Sequence, residues 1–254
     1  MVKNQLKEKL KRGETVIGTF MISGSPDLTE ILALAGFDFV IVDNEHGPSG
    51  IETTMHMIRA AEAKGITPIV RIPDHQESSV LHYLDIGAHG LQIPGVHSAA
   101  EARELAQYAK YDPLGSRGIA FSRSSDYGIC DIASYFDRAN EETMMIVHCE
   151  DKESLDNIEE ICQVPEVDVV FLGPFDMSQS LGIKGQIDSP LIEQAAQKVL
   201  DTCRKYGKIA GIYCGNGEIA RKRSRQGFQY CPIGMDVTFF ADKCLQEVKN
   251  FRNG

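Results

Sequence analysis

The chain has 254 residues, 43% of them hydrophobic and 24% charged, and a formal charge of −10. These values describe an ordinary globular protein with enough chain for one large core, near the usual size of an eight-fold α/β barrel. The acidic balance argues against non-specific nucleic-acid binding, which needs clustered Lys and Arg, but leaves small anionic substrates open because a local field can oppose the net charge. The cationic cluster at Arg221, Lys222, Arg223 and Arg225 reads as a solvated helix face. Seven scattered Cys without a CxxC spacing read as free thiols of a reducing compartment. The sequence shows no signal-peptide apolar region and no run of about 18 apolar residues. A cytoplasmic protein with no membrane or nucleic-acid partner is expected.

The N-terminal stretch MVKNQLKEKLKRGE is charged and amphipathic. After it, short apolar runs alternate with stretches of helical period. Strands are expected at 16–21, 37–42, 67–72, 89–94, 144–149, 167–172, 208–213 and 227–233. Helices are expected at 27–36, 51–64, 76–87, 98–109, 152–163, 189–206, 216–226 and 236–251. Ser98 with Glu101 has capping-box spacing, Pro190 suits a first turn, and Gly65, Gly87 and Gly207 suit helix ends. Strand–helix alternation implies a parallel sheet, and near-continuous apolar strands imply burial on both faces. Eight such units fit a single-domain (β/α)8 TIM barrel over residues 1–254. The stretch 111–143 lacks a clear period and is expected to be a functional lid.

In such a barrel the reactive groups lie where the strands end. Strand two runs into Asp43-Asn44-Glu45-His46, strand three into Arg71, strand five into His148-Cys149-Glu150, and strand six into Gly173-Pro174-Phe175-Asp176. One acid after an apolar strand also serves as a helix N-cap. Several on one rim, beside His46 and Arg71, point to chemistry. Glu150 and Asp176 end adjacent strands, and two carboxylates brought together repel unless a cation neutralises them. Mg2+ or Mn2+ does so with few protein ligands. That leaves positions for a 2-oxo acid to chelate through carboxylate and ketone, with the metal polarising the ketone.

Arg71 suits a carboxylate or an enolate oxygen, or else a structural ion pair. His46, close to Asp43 and Glu45, suits a general acid or base. His148 stays open, two positions before Glu150 and on the same side of strand five. The N–H groups of Phe175 and Asp176, ahead of the short helix DMSQSLG, form a candidate anion cradle. Lysine ends none of these strands, so a Schiff-base mechanism is not expected.

With these residues in view, the chain resembles the HpcH/HpaI family of metal-dependent class II pyruvate aldolases over about residues 5–250. The motifs that carry the resemblance are AGFDFVIVDNEHGP, PIVRIP, LDIGAHGLQIP, YDPLGSRG, HCEDKESLDNIEEI and DVVFLGPFDMSQSLG. It implies Glu150 and Asp176 as metal ligands and Arg71 as the residue that binds pyruvate and steadies its enolate. It implies His46 with Asp43 as an acid–base dyad, and Asp85 as an acid near the active site across a subunit contact. It also implies that the loop of Gly173 and Phe175 holds the pyruvate carboxylate. The cofactor implied is Mg2+ or Mn2+, with Co2+ or Zn2+ as further candidates. The assembly implied is a homo-oligomer, a hexamer built as a trimer of dimers with the last helix exchanged.

Three positions depart from the family pattern. His148 replaces a usual Gln, Phe175 a small residue, and Tyr111-Asp112-Pro113 the usual YPP. The first two lie within reach of the metal and pyruvate. The expected activity is cleavage or formation of a C–C bond of a 4-hydroxy-2-oxo acid, giving pyruvate and an aldehyde. The alternatives are a related decarboxylase, synthase or other carboxylic-acid lyase, and a non-catalytic metal- or metabolite-binding barrel.

Overall fold

A computed structural model describes residues 3–253. In chain order the elements are α1 (Gln5–Lys11), β1 (Val16–Met21), α2 (Pro26–Ala35), β2 (Phe39–Asp43), α3 (Ile51–Lys64), β3 (Thr67–Arg71), α4 (Glu77–Asp85), β4 (Gly90–Ile93) and α5 (Ala99–Ala109). There follow a 3-10 turn (Arg123–Gly128), α6 (Ile132–Glu142), β5 (Met144–Cys149), α7 (Lys152–Asp156), α8 (Ile158–Cys162), β6 (Val169–Leu172) and α9 (Pro174–Ser180). The chain ends with α10 (Pro190–Tyr206), β7 (Ile209–Ile212), α11 (Gly217–Gln226), β8 (Tyr230–Met235) and α12 (Asp236–Asn253). The strands close in sequence order into a parallel barrel, β8 pairing with β1, as the sequence pattern implies.

Alternate strand residues belong to two different cores. Phe39, Ile41, Ile69, Met144, Ile146, Val169 and Phe171 pack inside the barrel. Their neighbours Val40, Val42, Val70, Met145, Val147 and Val170 pack outward against the helices. Both faces are buried, so the strands read as unbroken apolar runs. The same period of two carries Asp43, Arg71, Gln92 and His148 inward at the level where the strands end.

Several boundaries move for local reasons. β2 begins at Phe39, and Asp38 before it ties the strand starts together, its backbone bonding Ile17 and Thr67 and its carboxylate accepting the Ile17 N–H at 2.8 Å and pairing with Lys9 at 2.6 Å. Gly227 caps α11 with φ of 117°, so β8 begins only at Tyr230. The 152–163 helix breaks at Asn157, whose amide donates to the His97 carbonyl at 2.8 Å. Glu101 completes no capping box with Ser98; its carboxylate takes the His97 N–H at 2.8 Å instead. The amphipathic N-terminus forms α1, whose Leu6 and Leu10 are buried in the inner core and plug the barrel floor.

The 111–143 stretch is not a lid over the strand ends. It follows α5 and leads into β5, so it lies at the opposite, N-terminal face, and most of its second half is α6. Asn140 clasps Tyr111 through both backbone groups, at 2.7 and 2.9 Å, and Lys110 donates to the carbonyls of Asn140 and Thr143, both at 2.7 Å. Arg123 ties the turn to Glu62 and to the Ile86 carbonyl.

Inside the barrel, Phe39 and Tyr230 stack with centroids 4.4 Å apart. This pair needs Gly18, because a Cβ there would run into the Phe39 ring. Gly18→Ala is expected to cost about 1–3 kcal/mol through overpacking, measured as a lower urea midpoint with an unchanged slope.

Candidate active site

The strand ends surround a cavity of about 200 Å3, lined by Arg71, His148, Glu150, Asp176 and a set of rings. A second, more polar cavity of about 300 Å3 shares His46, Arg71, Glu150 and Asp176 and adds Glu45, Asp151, Gln179 and Ser180. The two are lobes of one mouth.

Arg71 is 8% exposed and Asp43 fully buried. They are register partners on adjacent strands and form a forked pair, Nε to Oδ1 at 2.9 Å and Nη2 to Oδ2 at 2.5 Å. Burial pushes the Asp43 carboxyl up. The Arg71 guanidinium and the N–H groups of His46 and Glu45 outweigh that and hold it below its ordinary range. Glu45 Oε2 approaches Arg71 Nη1 at 3.0 Å but out of line for a hydrogen bond, so Nη1 makes none among the described residues.

This geometry corrects the expected dyad. Asp43 spends its carboxylate on Arg71 and on backbone N–H groups, including that of His46 at 3.2 Å, not on the His46 imidazole. The imidazole is exposed at the rim, with Glu45 Oε2 the nearest acid at 3.9 Å.

Glu150 and Asp176 approach one point. A Cβ on Gly173 would lie 3.3 Å from Glu150 Oε2 and 3.7 Å from Asp176 Oδ2, so the missing side chain leaves the space between the two carboxylates open. Glu150 Oε1 accepts the Gly95 N–H at 2.8 Å, and Oε2 meets His148 Nδ1 at 2.5 Å. Burial raises the Glu150 carboxyl, but His148, the Gly95 N–H and Arg71 together bring it below its ordinary range. Asp176 lies in the first turn of α9, after the N-cap Gly173.

Among the described residues no group of three or more His, Cys, Asp or Glu gathers as a metal cage. Two hard carboxylate oxygens with open space between them fit a divalent ion that keeps water and substrate as its other ligands. His148 fits the ligand role poorly, because its second ring nitrogen is also taken, by the Gln92 amide at 2.8 Å.

Two expected site residues behave differently from the rest. Phe175 lines the cavity with its ring half exposed, 5.9 Å from Tyr213. Asp85 is remote within one chain: it ends α4 and pairs with Arg117 at 2.7 Å. Phe20, Phe171 and Tyr213, not singled out from sequence, complete the mouth beside Phe175. Phe171, Phe20, Tyr213 and Phe175 form a continuous run of rings with successive centroids 6.3, 6.1 and 5.9 Å apart, and Arg71 lies over Phe20. Gln92, a polar residue inside the apolar run LQIP, was also not singled out, and it lies fully buried against His148.

Residues 16–242 match the family model HpcH/HpaI aldolase/citrate lyase. The chain belongs to the HpcH/HpaI aldolase/citrate lyase family. It is 32% identical to a 2-keto-3-deoxy-L-rhamnonate aldolase of Shigella sonnei (strain Ss046), over 100% of this chain and 95% of that protein. Among solved structures it is similar to an HpcH/HpaI aldolase from Desulfitobacterium hafniense DCB-2, with TM-score 0.94, 32% identity, and 99% and 97% of the two chains covered. It is also similar to the citrate synthase SbnG, with TM-score 0.89, 30% identity and 98% of each chain covered. This HpcH/HpaI family member is a carbon–carbon lyase of the class II pyruvate aldolase type. Class II aldolases of the family depend on a divalent metal, and their substrates are a small 2-oxo acid and an aldehyde. No helix among the described residues is long and apolar enough to cross a membrane.

The Asp43–Arg71 pair makes stability depend on acid. The Asp43 carboxyl titrates lower in the fold than in the unfolded chain, so its contribution is full above the unfolded value near pH 4 and is lost as pH falls through the folded value. Asp43→Asn, which leaves the buried Arg71 guanidinium with Glu45 as its one remaining counter-charge, is expected to cost about 3 kcal/mol at pH 7. It is also expected to flatten the decline in unfolding free energy below about pH 4, read from urea titrations at each pH.

Proposed function

We propose that this aldolase, acting as one domain, cleaves or forms the C3–C4 bond of a 4-hydroxy-2-oxo acid, with Mg2+ or Mn2+ held by Glu150 and Asp176. The observation that carries the reading is the convergence of both carboxylates on the space beside Gly173, in the cavity that Arg71 also lines. Two oxygen donors suit Mg2+ and Mn2+ better than Co2+ or Zn2+, which take more nitrogen or sulfur ligands. The relatives named for 2-keto-3-deoxy-L-rhamnonate support a 2-oxo acid without a C3 hydroxyl.

A bound divalent ion supplies Lewis-acid polarisation of the ketone and a counter-charge for the enolate. The chain supplies the rest. The first-turn N–H groups of Phe175 and Asp176, which have no acceptor within α9, receive the substrate carboxylate. His46 takes the proton of the C4 hydroxyl. The C4 carbonyl forms, and the C3–C4 electron pair passes into the pyruvate enolate. Arg71 donates from Nη1 to the enolate oxygen, its plane held by Asp43. C3 then takes a proton to give pyruvate.

The acceptor is a short, uncharged aldehyde. Arg71 is the one Lys or Arg among the described residues lining either lobe, and Asp43 and Glu45 already accompany it. A second reading joins the same enolate to another acceptor. Similarity to the citrate synthase SbnG and the two departures at His148 and Phe175 favour it.

Hydrogen–deuterium exchange at the pyruvate methyl tests enolate formation without the aldehyde. Exchange is expected with Mn2+ or Mg2+, is lost in EDTA, and falls at least about 100-fold in Arg71→Ala. Unchanged exchange in that variant removes Arg71 from the role. A panel of neutral aldehydes, semialdehydes and oxaloacetate then separates the two readings of the acceptor.

The assembly we propose is a homo-oligomer, a hexamer of three dimers, that shares α12. Along this 18-residue helix only Asp236 is buried, while Phe240, Leu245, Val248 and Phe251 are exposed. Asp236 anchors its start by accepting the Ile22 and Ser23 N–H groups at 2.9 and 3.1 Å. A partner copy covers that apolar row and places its Asp85 near the mouth. The seven free thiols support a reducing, cytoplasmic setting. Phe240→Asp with Leu245→Asp is expected to lower the mass seen by light scattering, and an unchanged mass would remove α12 from the interface.

A further inference from the structure

A chain of buried hydrogen bonds runs from the barrel core to the carboxylate assigned to the metal. Tyr230 Oη lies 2.9 Å from Gln92 Oε1, Gln92 Nε2 lies 2.8 Å from His148 Nε2, and His148 Nδ1 lies 2.5 Å from Glu150 Oε2. Tyr230 and Gln92 are fully buried, and His148 is 2% exposed.

The direction of this chain follows from its closed end. Among the described residues the Tyr230 hydroxyl has one hydrogen-bond partner, Gln92, and a buried hydroxyl must donate. It therefore faces the amide oxygen of Gln92. The amide nitrogen is left for His148, and as a donor it requires a lone pair on Nε2. The ring proton then belongs on Nδ1, where it is donated to Glu150.

We propose that Tyr230 and Gln92 are positioning residues that hold His148 as the Nδ1–H tautomer and so fix the orientation of Glu150 for the metal. The phenol decides the amide, the amide decides the tautomer, and the tautomer makes Nδ1 a donor to Glu150 Oε2. The other oxygen is held by Gly95, so the carboxylate is fixed from both sides. The remaining lone pairs of both oxygens are free for the cation. His148 thereby acts behind the ligand rather than on the substrate. The inference rests on the proposed metal site.

The test is Tyr230→Phe, which removes one hydroxyl and keeps the ring stacked on Phe39. Gln92→Leu is the second variant, and thermal unfolding monitors the fold of both. Long-range 1H–15N spectra of the histidine rings are expected to show the His148 Nδ1–H tautomer in wild type and a mixture in Tyr230→Phe. Calorimetry is expected to show Mn2+ bound about 10-fold more weakly by the variants. A wild-type His148 in the other tautomer, or an unchanged pattern in folded Tyr230→Phe, overturns the proposal. An altered tautomer with unchanged Mn2+ affinity overturns the positioning role. If wild type binds no Mn2+, the metal assignment fails, and the spectra still decide whether the tautomer is held as described.

Discussion

Every strand of this barrel is buried on both faces, by its own interior and by the surrounding helices. Water is therefore not at hand for any polar side chain that the two-residue period turns inward. Such residues must satisfy one another. Asp43 and Arg71 meet this condition as register partners, with the charge of each matched inside the wall. An unpaired charge at either position would carry a large desolvation cost, so the pair sets what else the mouth can hold.

From that constraint the site grades from structure into chemistry. The floor of the barrel is apolar and closed by Leu6 and Leu10 of α1. One layer higher, the inward residues become Gln92 and His148, which occupy each other's hydrogen-bonding groups. At the rim, Glu150, Asp176 and the guanidinium of Arg71 face open space, bounded on one side by the rings of Phe20, Tyr213 and Phe175. Gln92, His148 and the Asp43–Arg71 pair are buried and doubly held, whereas the proposed ligand Asp176 is exposed. The residues assigned to proton transfer and substrate contact, His46 and Phe175, are exposed as well.

Much of this could be read before folding. Eight apolar runs separated by helical periods specify the barrel, and the rule that strand ends carry the reactive groups collects Arg71, Glu150, Asp176, His46 and Gly173. What could not be read is who bonds to whom. Adjacency in sequence paired Asp43 with His46, whereas neighbouring strands place Asp43 against Arg71. The 111–143 stretch looked like a lid because it is long. Its place after a helix rather than after a strand puts it at the far face. Asp85 carries a family motif, yet in one chain it ends α4 and pairs with Arg117 rather than joining the strand-end residues.

Composition, periodicity and strand-end residues by themselves determined the architecture and the kinds of group available: two carboxylates, a guanidinium and an imidazole. These follow from local rules, since burial on both faces and the βα alternation are written along the chain. The tertiary structure alone decided the partnerships: Arg71 with Asp43, His148 between Gln92 and Glu150, and Gly173 as the gap between two acids. Those depend on strand register and on which residues share a level of the barrel. Neither quantity is encoded within any single segment, because closure of all eight strands sets both at once.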